Sequence, residues 1–253
     1  MGLSKIIKEF EKGNVCVVGL RGCGKDMLFA NVIARRKQPY VSNSDYHCDK
    51  SPFIKLKFDR LNVKNNYKNF ISDDIVPYDY PYGEGFDIYI SDCGIFLPSQ
   101  YCNELNKLYP EFPTFYALSR HIANNNVHFN VQNLNRVWDK LREQSDTYIM
   151  CNSCHVFKGR IPIIGRLFKG LVFQVVTVYE KYQSCVDRVE PYKPISIPIM
   201  ASKQTKASLK QVNEERRGRY RETYGKVKRR LLIYRNKSKY DTRLFKGVLS
   251  REE

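Results

Sequence analysis

A chain of 253 residues with 42% hydrophobic and 27% charged residues carries enough apolar side chain for a packed core, which excludes wholesale disorder. Its net charge of +17, from 43 Lys and Arg against 26 Asp and Glu, points to phosphate-rich partners, either nucleic acid or an anionic membrane surface. No apolar run reaches the roughly 18–20 residues of a membrane-spanning helix, because Ile161 to Tyr179 is broken by Arg166 and Lys169.

The first residues, Met1-Gly2-Leu3-Ser4-Lys5-Ile6-Ile7-Lys8-Glu9, lack the apolar stretch of a leader, so a cytoplasmic location is expected, with peripheral contact at the inner face of a membrane as an option. Lys5 to Glu11 reads as a short helix with Ile6, Ile7 and Phe10 on one face. Val15-Cys16-Val17-Val18 is an apolar, β-branched run, the pattern of a strand buried on both faces. A glycine-rich turn follows, and Met27 to Arg36 has helical spacing with Met27, Leu28, Val32 and Ile33 turned inward. Strand, loop and helix in that order open a parallel α/β sheet.

Phe53 to Phe58 alternates as a strand, and Asn62 to Gly85 reads as a loop-dominated excursion. Phe86 to Ser91 is a second buried strand, ending in Asp92. Thr114 to Ala123 and Arg136 to Gln144 read as helices; Asn126 to Val131, Asp146 to Phe157 and Gly170 to Tyr182 read as strands. Glu190 to Pro198, punctuated by proline, closes the compact region. From Ala201 onward there are about 17 basic and about 6 acidic residues, and Leu231-Leu232-Ile233-Tyr234 is a docking patch within that segment. The division expected is a domain over 1–200 and a basic, helical extension over 201–253.

Eight cysteines without an export signal imply reduced thiols. Only Cys151 and Cys154, beside His155, have metal-like spacing, and no second pair follows; neither zinc nor haem is assigned, and the spacing is taken as chance beside a strand.

The string Gly19-Leu20-Arg21-Gly22-Cys23-Gly24-Lys25-Asp26, leading into Met27, is a phosphate-binding loop in strand–loop–helix context. Its glycines let successive amides face one anion, the helix start adds unsatisfied N–H groups and dipole, and Lys25 reaches β- and γ-phosphates. One position departs from the pattern. Where a Ser or Thr hydroxyl should ligate Mg²⁺ stands Asp26, a hard-oxygen ligand that also repels phosphate. Either Asp26 holds the metal, directly or through water, or the loop binds without hydrolysis. Asp92 is the expected second acidic ligand, at the carboxyl edge of the sheet. The water-activating Glu that often follows is replaced by Cys93, a poor base, which leaves Glu104 or Asp26 as substitutes.

The loop, the strand end Ile90-Ser91-Asp92 with Ile95-Phe96-Leu97-Pro98-Ser99, the pair Arg120-His121, and Val127 to Gln132 leading into Val137-Trp138-Asp139-Lys140-Leu141-Arg142 resemble the zonular occludens toxin (Zot) family over roughly residues 12–185. These are assembly ATPases of filamentous phages related to the FtsK/HerA group. The resemblance implies a three-layer P-loop NTPase fold with a mostly parallel central sheet, ATP and Mg²⁺ as ligands, a homo-oligomer, and single-stranded DNA as a partner of the basic tail. It also implies that Gln132 senses the γ-phosphate or positions water and that Arg120 with His121 lies near nucleotide or a subunit interface. On residue chemistry alone, Gln132 orients a water or caps a strand, and Arg120 is a finger or a salt-bridged helix residue. Arg21, Arg136 and Arg142 are further candidates for phosphate contact. The transmembrane helix usual in the family has no counterpart in this sequence; the basic segment from Ala201 stands in its place.

Overall fold

The computed structural model describes residues 2–48, 50–51, 53–55, 87–108, 116, 126–157, 168 and 170–236. Along the chain run α1 (Leu3–Lys12), β1 (Val15–Val18), α2 (Lys25–Arg36), β2 (Tyr40–Ser42), β3 (Phe53–Lys55), β4 (Asp87–Ile90), α3 (Cys93–Phe96), α4 (Cys102–Leu108), β5 (Val127–Val131), α5 (Asp139–Glu143), β6 (Thr147–Val156), β7 (Leu171–Tyr179), α6 (Tyr182–Val186), α7 (Lys203–Tyr224) and β8 (Val227–Arg235). The excursion Asn62 to Gly85 lies outside the described residues, as does the helix expected over Thr114 to Ala123 apart from helical Tyr116. The expected helix Arg136 to Gln144 is a 3-10 turn, Leu134–Arg136, followed by the shorter α5.

One eight-stranded sheet has the order β3-β2-β4-β5-β1-β6-β7-β8, parallel from β3 through β6 and antiparallel over β6-β7-β8. Alternation along the central strands explains the three layers. Val15 and Val17 turn toward α1 and α2, in a cluster with Ile6, Phe10, Leu28 and Phe29. Cys16 and Val18 turn the other way, with Ile88, Ile90, Phe129, Val131, Leu134 and Trp138. A strand buried on both faces has apolar residues at every position, which is why β1 shows no polar alternation. Aromatic edges tighten the first cluster: Phe29 meets Tyr89 at 5.2 Å between ring centroids and 74°, and Phe10 meets Phe29 at 6.0 Å and 83°.

The C-terminal segment corrects the expectation of a helical extension. Helix α7 does form, with Ser202 Oγ accepting from Thr205 N–H at its start and none of its residues buried. Val227–Arg235 is a strand instead, paired along its whole length with β7. The reason is its period of two: Leu232 and Tyr234 enter the core beside α1, while Leu231 and Ile233 stay exposed. The patch Leu231 to Tyr234 thus docks within the chain, onto β7. No described helix is long and apolar enough to cross a membrane.

Candidate phosphate-binding site

β1 delivers the loop to the carboxyl edge of the sheet between β5 and β6. Gly19 N–H donates to Val131 C=O at 3.1 Å, which starts the loop flush against the end of β5. A Cβ at Gly19 would lie 2.4 Å from Cys23 Sγ and 2.6 Å from the Cys151 carbonyl oxygen, so only glycine fits. Gly22 and Gly24 take φ of +83° and +86°, the left-handed region that costs an L side chain about 1–2 kcal/mol. Cys23 N–H closes a turn on Leu20 C=O at 3.3 Å, whereas the amides of Arg21, Gly22 and Gly24 have no backbone acceptor among the described residues. These amides, with the first amides of the 12-residue α2, form a concave set of donors.

Lys25 is buried at 5% exposure. Its Nζ donates to Leu20 C=O at 3.3 Å, and it makes no ion pair among the described residues. An ammonium has three donors and is costly to bury without an opposite charge. Beside loop amides that lack backbone acceptors among the described residues, that arrangement suits a polyanion.

Asp26 Oδ1 accepts from Ser91 Oγ at 2.6 Å and from Asn130 Nδ2 at 2.8 Å. Asn130 also accepts from Asp92 N–H through Oδ1 at 2.9 Å, so one side chain of β5 ties the helix start to the turn after β4. The residue that meets Asp26 is therefore Ser91, the first after β4. Asp92 lies one step further, with φ 47° and ψ 47°, and starts α3. Cys93 is fully buried, and burial first, then the neighbouring Asp92 charge, pushes its thiol far up, so it has neither the charge nor the exposure to handle water.

The loop rests on a floor that the linear pattern did not reveal. Gln174 of β7 is completely buried; its Nε2 donates to the carbonyls of Cys23 and Gly24 at 3.2 and 3.0 Å, and its Oε1 accepts from Tyr234 O–H at 2.9 Å. The visible signal was a lone amide inside an otherwise apolar strand. Cys151 and Cys154 belong to the same floor. Asn152 is an extra residue in β6 opposite β7, so the bulge turns Cys151 and Cys154 to one face. A Cβ at Gly24 would meet Cys154 Cβ at 2.6 Å. The hydrogen bond from Cys151 draws the Cys23 thiol down to about 7; burial opposes this and the Lys25 charge assists it.

The remaining candidates scatter. Gln132 follows β5 directly after Val131 and is exposed beside the loop's first residue, and Leu20 and Arg21 are exposed in the loop itself. Met27 is half-buried in the first turn of α2. Arg136 is exposed and lies beside Gly94, with its Cβ 3.4 Å from where a Cβ at that glycine would sit. Arg142 packs its guanidinium over the Tyr182 ring at 5.6 Å. Glu104 belongs to α4. Arg120 and His121 lie outside the described residues.

No family model and no curated protein matches the chain. Among solved structures it is similar to the genome packaging NTPase B204 from Sulfolobus turreted icosahedral virus 2 in complex with AMP, at 13% identity over 68% of this chain and 93% of that one, with a TM-score of 0.41. It is similar to the N-terminal domain of zonular occludens toxin from Neisseria meningitidis, at 9% identity over 92% and 97% of the two chains, TM-score 0.41. The pCW3 conjugation coupling protein TcpA with ATPγS is a third, at 11% identity over 65% and 58%, TM-score 0.35. The chain itself has a mostly parallel sheet covered on both faces, with a glycine-rich loop ending in Lys25 between β1 and α2. In a loop of this sequence pattern a bound metal would face the residue after the lysine. In this chain Asp26, after the loop lysine, and Ser91, after β4, offer there a carboxylate and a hydroxyl, a hard-oxygen set that fits Mg²⁺.

Proposed function

We propose that the protein binds ATP with Mg²⁺ at Gly19 to Met27 and hydrolyses it as a motor that moves DNA in virion assembly or DNA export. The observation that carries this reading is Lys25: a buried ammonium with one carbonyl partner and no ion pair among the described residues, next to a loop whose Arg21, Gly22 and Gly24 amides lack backbone acceptors there. A triphosphate supplies the missing negative charge and the missing acceptors together. Asp26 and Ser91 would hold the metal, which would supply positive charge to offset that of the phosphates. Gln132, exposed directly after Val131, would orient water, and Asp92 stands on the turn between β4 and α3.

The choice of DNA as cargo rests on the sequence resemblance to the Zot family and on α7. Lys203, Lys210, Arg216, Arg217, Arg219 and Arg221 face solvent there against Glu214, Glu215 and Glu222. Such a helix suits a phosphate backbone, with an anionic membrane face as its competitor. A homo-oligomer with Arg120 of one copy facing the nucleotide of the next belongs to the same reading. The test is ATP turnover with and without single-stranded DNA. Turnover that DNA stimulates and that disappears in Lys25→Ala supports the motor. The burial of Cys93 favours a second reading, a nucleotide-binding adaptor without turnover, and tight ATP binding with no phosphate release would establish that one instead.

A further inference from the structure

The residue after the loop lysine and the residue ending the neighbouring acidic strand carry each other's chemistry. A P-loop ordinarily sets a hydroxyl after its lysine and a carboxylate at the strand end, and both serve the metal. Here the carboxylate is Asp26 and the hydroxyl is Ser91, joined at 2.6 Å. The pair is intact, with its members exchanged. We infer that Asp26 is the anionic metal ligand and Ser91 its hydroxyl partner, that Asn130 fixes the carboxylate, and that Asp92 is not a metal ligand.

Three observations support the exchange. The contact is made by Ser91, and the turn carries Asp92 one residue past it. Asn130 holds Asp26 Oδ1 at 2.8 Å and accepts from Asp92 N–H at 2.9 Å, so the two acidic residues are anchored at opposite ends of one amide. Oδ1 of Asp26 is doubly engaged, and Oδ2 has no hydrogen bond among the described residues, which leaves a carboxylate oxygen for a cation. The exchange also explains Cys93. If Ser91 holds the strand-end metal position, the following position, where a water-activating acid belongs, is that of Asp92, and the buried thiol of Cys93 falls outside the motif. A carboxylate beside the phosphates is tolerable because the metal lies between them.

This inference rests on the nucleotide-binding reading above, and its test separates the two. ATP affinity of the full chain is measured by equilibrium titration with Mg²⁺ and with EDTA, and Mn²⁺ uptake in the presence of ADP is followed by electron paramagnetic resonance. Asp26→Asn keeps an acceptor for Ser91 and Asn130 but removes the charge; it should lose about tenfold or more of the Mg²⁺-dependent affinity, keep its EDTA affinity and melt like the parent. Ser91→Asp alone should lose a similar factor by opposing two carboxylates. The double exchange Asp26→Thr/Ser91→Asp should return to within about threefold of the parent and recover Mn²⁺ uptake, whereas Asp92→Asn should leave Mg²⁺ dependence unchanged while slowing turnover. A double exchange no better than its singles overturns the assignment, as does an Asp92→Asn that abolishes Mn²⁺ uptake. ATP binding by the parent that ignores Mg²⁺ overturns it alone, and no ATP binding in either buffer overturns the nucleotide reading itself.

Discussion

The side-chain amide of Gln174 donates to the carbonyl oxygen of Gly24 at 3.0 Å, across 150 residues of sequence. Turning that carbonyl downward leaves the loop amides free to face an anion. Gln174→Leu strands two loop carbonyls and the Tyr234 hydroxyl in a dry place, at a cost of about 1–3 kcal/mol. The expected outcome is a lower denaturation midpoint in urea and weaker ATP binding, with Tyr234→Phe showing a smaller loss of both. Unchanged ATP affinity in a destabilised Gln174→Leu would reduce the amide to a core residue.

Lys25 predicts opposite effects on stability and ligand binding. Lys25→Met replaces a desolvated ammonium with an apolar chain of similar length, so the ligand-free protein should melt higher than the parent. Saturating ATP should then add nothing, where a ligand at a hundred times its Kd stabilises the parent by about 2.7 kcal/mol. Differential scanning fluorimetry with and without ATP reads both effects, and a Lys25→Met that melts lower without ligand contradicts the first.

Gly24→Ala meets two penalties at once: a φ of +86° and a Cβ 2.6 Å from Cys154 Cβ. Gly22→Ala has a similar φ of +83° and open space. The first should therefore cost well over the ~1–2 kcal/mol of the left-handed conformation, and the second no more than that. Paired urea titrations measure the difference, and equal losses would show that the Cys154 floor gives way freely.

Asp87, ion-paired with Arg36 and 3.9 Å from His128, gives a pH dependence with a definite sign. Burial pushes its carboxyl up to about 6 despite Arg36, and burial pushes the His128 imidazole well below its ordinary 6.5. Below pH 6 the folded state takes up a proton at Asp87, which adds stability down to the ordinary carboxylate range. Below pH 6.5 the unfolded state takes one up at His128, which removes stability. The two oppose each other in the parent. Asp87→Asn leaves the histidine effect alone, so the variant should lose about 1 kcal/mol relative to the parent between pH 7 and pH 5. Urea titrations at the two pH values decide it; a constant difference refutes the linkage.

The basic C-terminal region needs two different tests. Deleting residues 226–253 removes β8, and with it Leu232 and Tyr234 from the core, so circular dichroism should show loss of folded structure. Neutralising Arg216, Arg217, Arg219 and Arg221 on unburied α7 should spare the fold and lower the salt slope of single-stranded DNA binding by about one for each phosphate no longer neutralised. An unchanged slope removes α7 from the DNA surface.

The parts of this fold that were legible had a local cause. β1 is apolar throughout because it is buried on both faces, and the loop glycines stand where the backbone turns left-handed or another chain segment touches it. The parts that were not legible depend on partners remote in sequence. A bulge at Asn152, visible only in the pairing with β7, brings Cys151 and Cys154 to one face, so their spacing looked accidental. Charge dominated Val227 to Arg235 in the sequence and hid its alternation, although Leu232 and Tyr234 are the buried members of a strand. The sequence alone does not favour Ser91 over Asp92 as the partner of Asp26, because the choice depends on how the backbone turns after Ile90.

The Tyr234 hydroxyl that steadies Gln174 sits on the last strand of the sheet. During ribosomal synthesis, β1 and its loop emerge before β7 and β8, and their underside is complete only once both strands have followed. A polypeptide that stops short of β8 therefore holds Lys25 over an unfinished base.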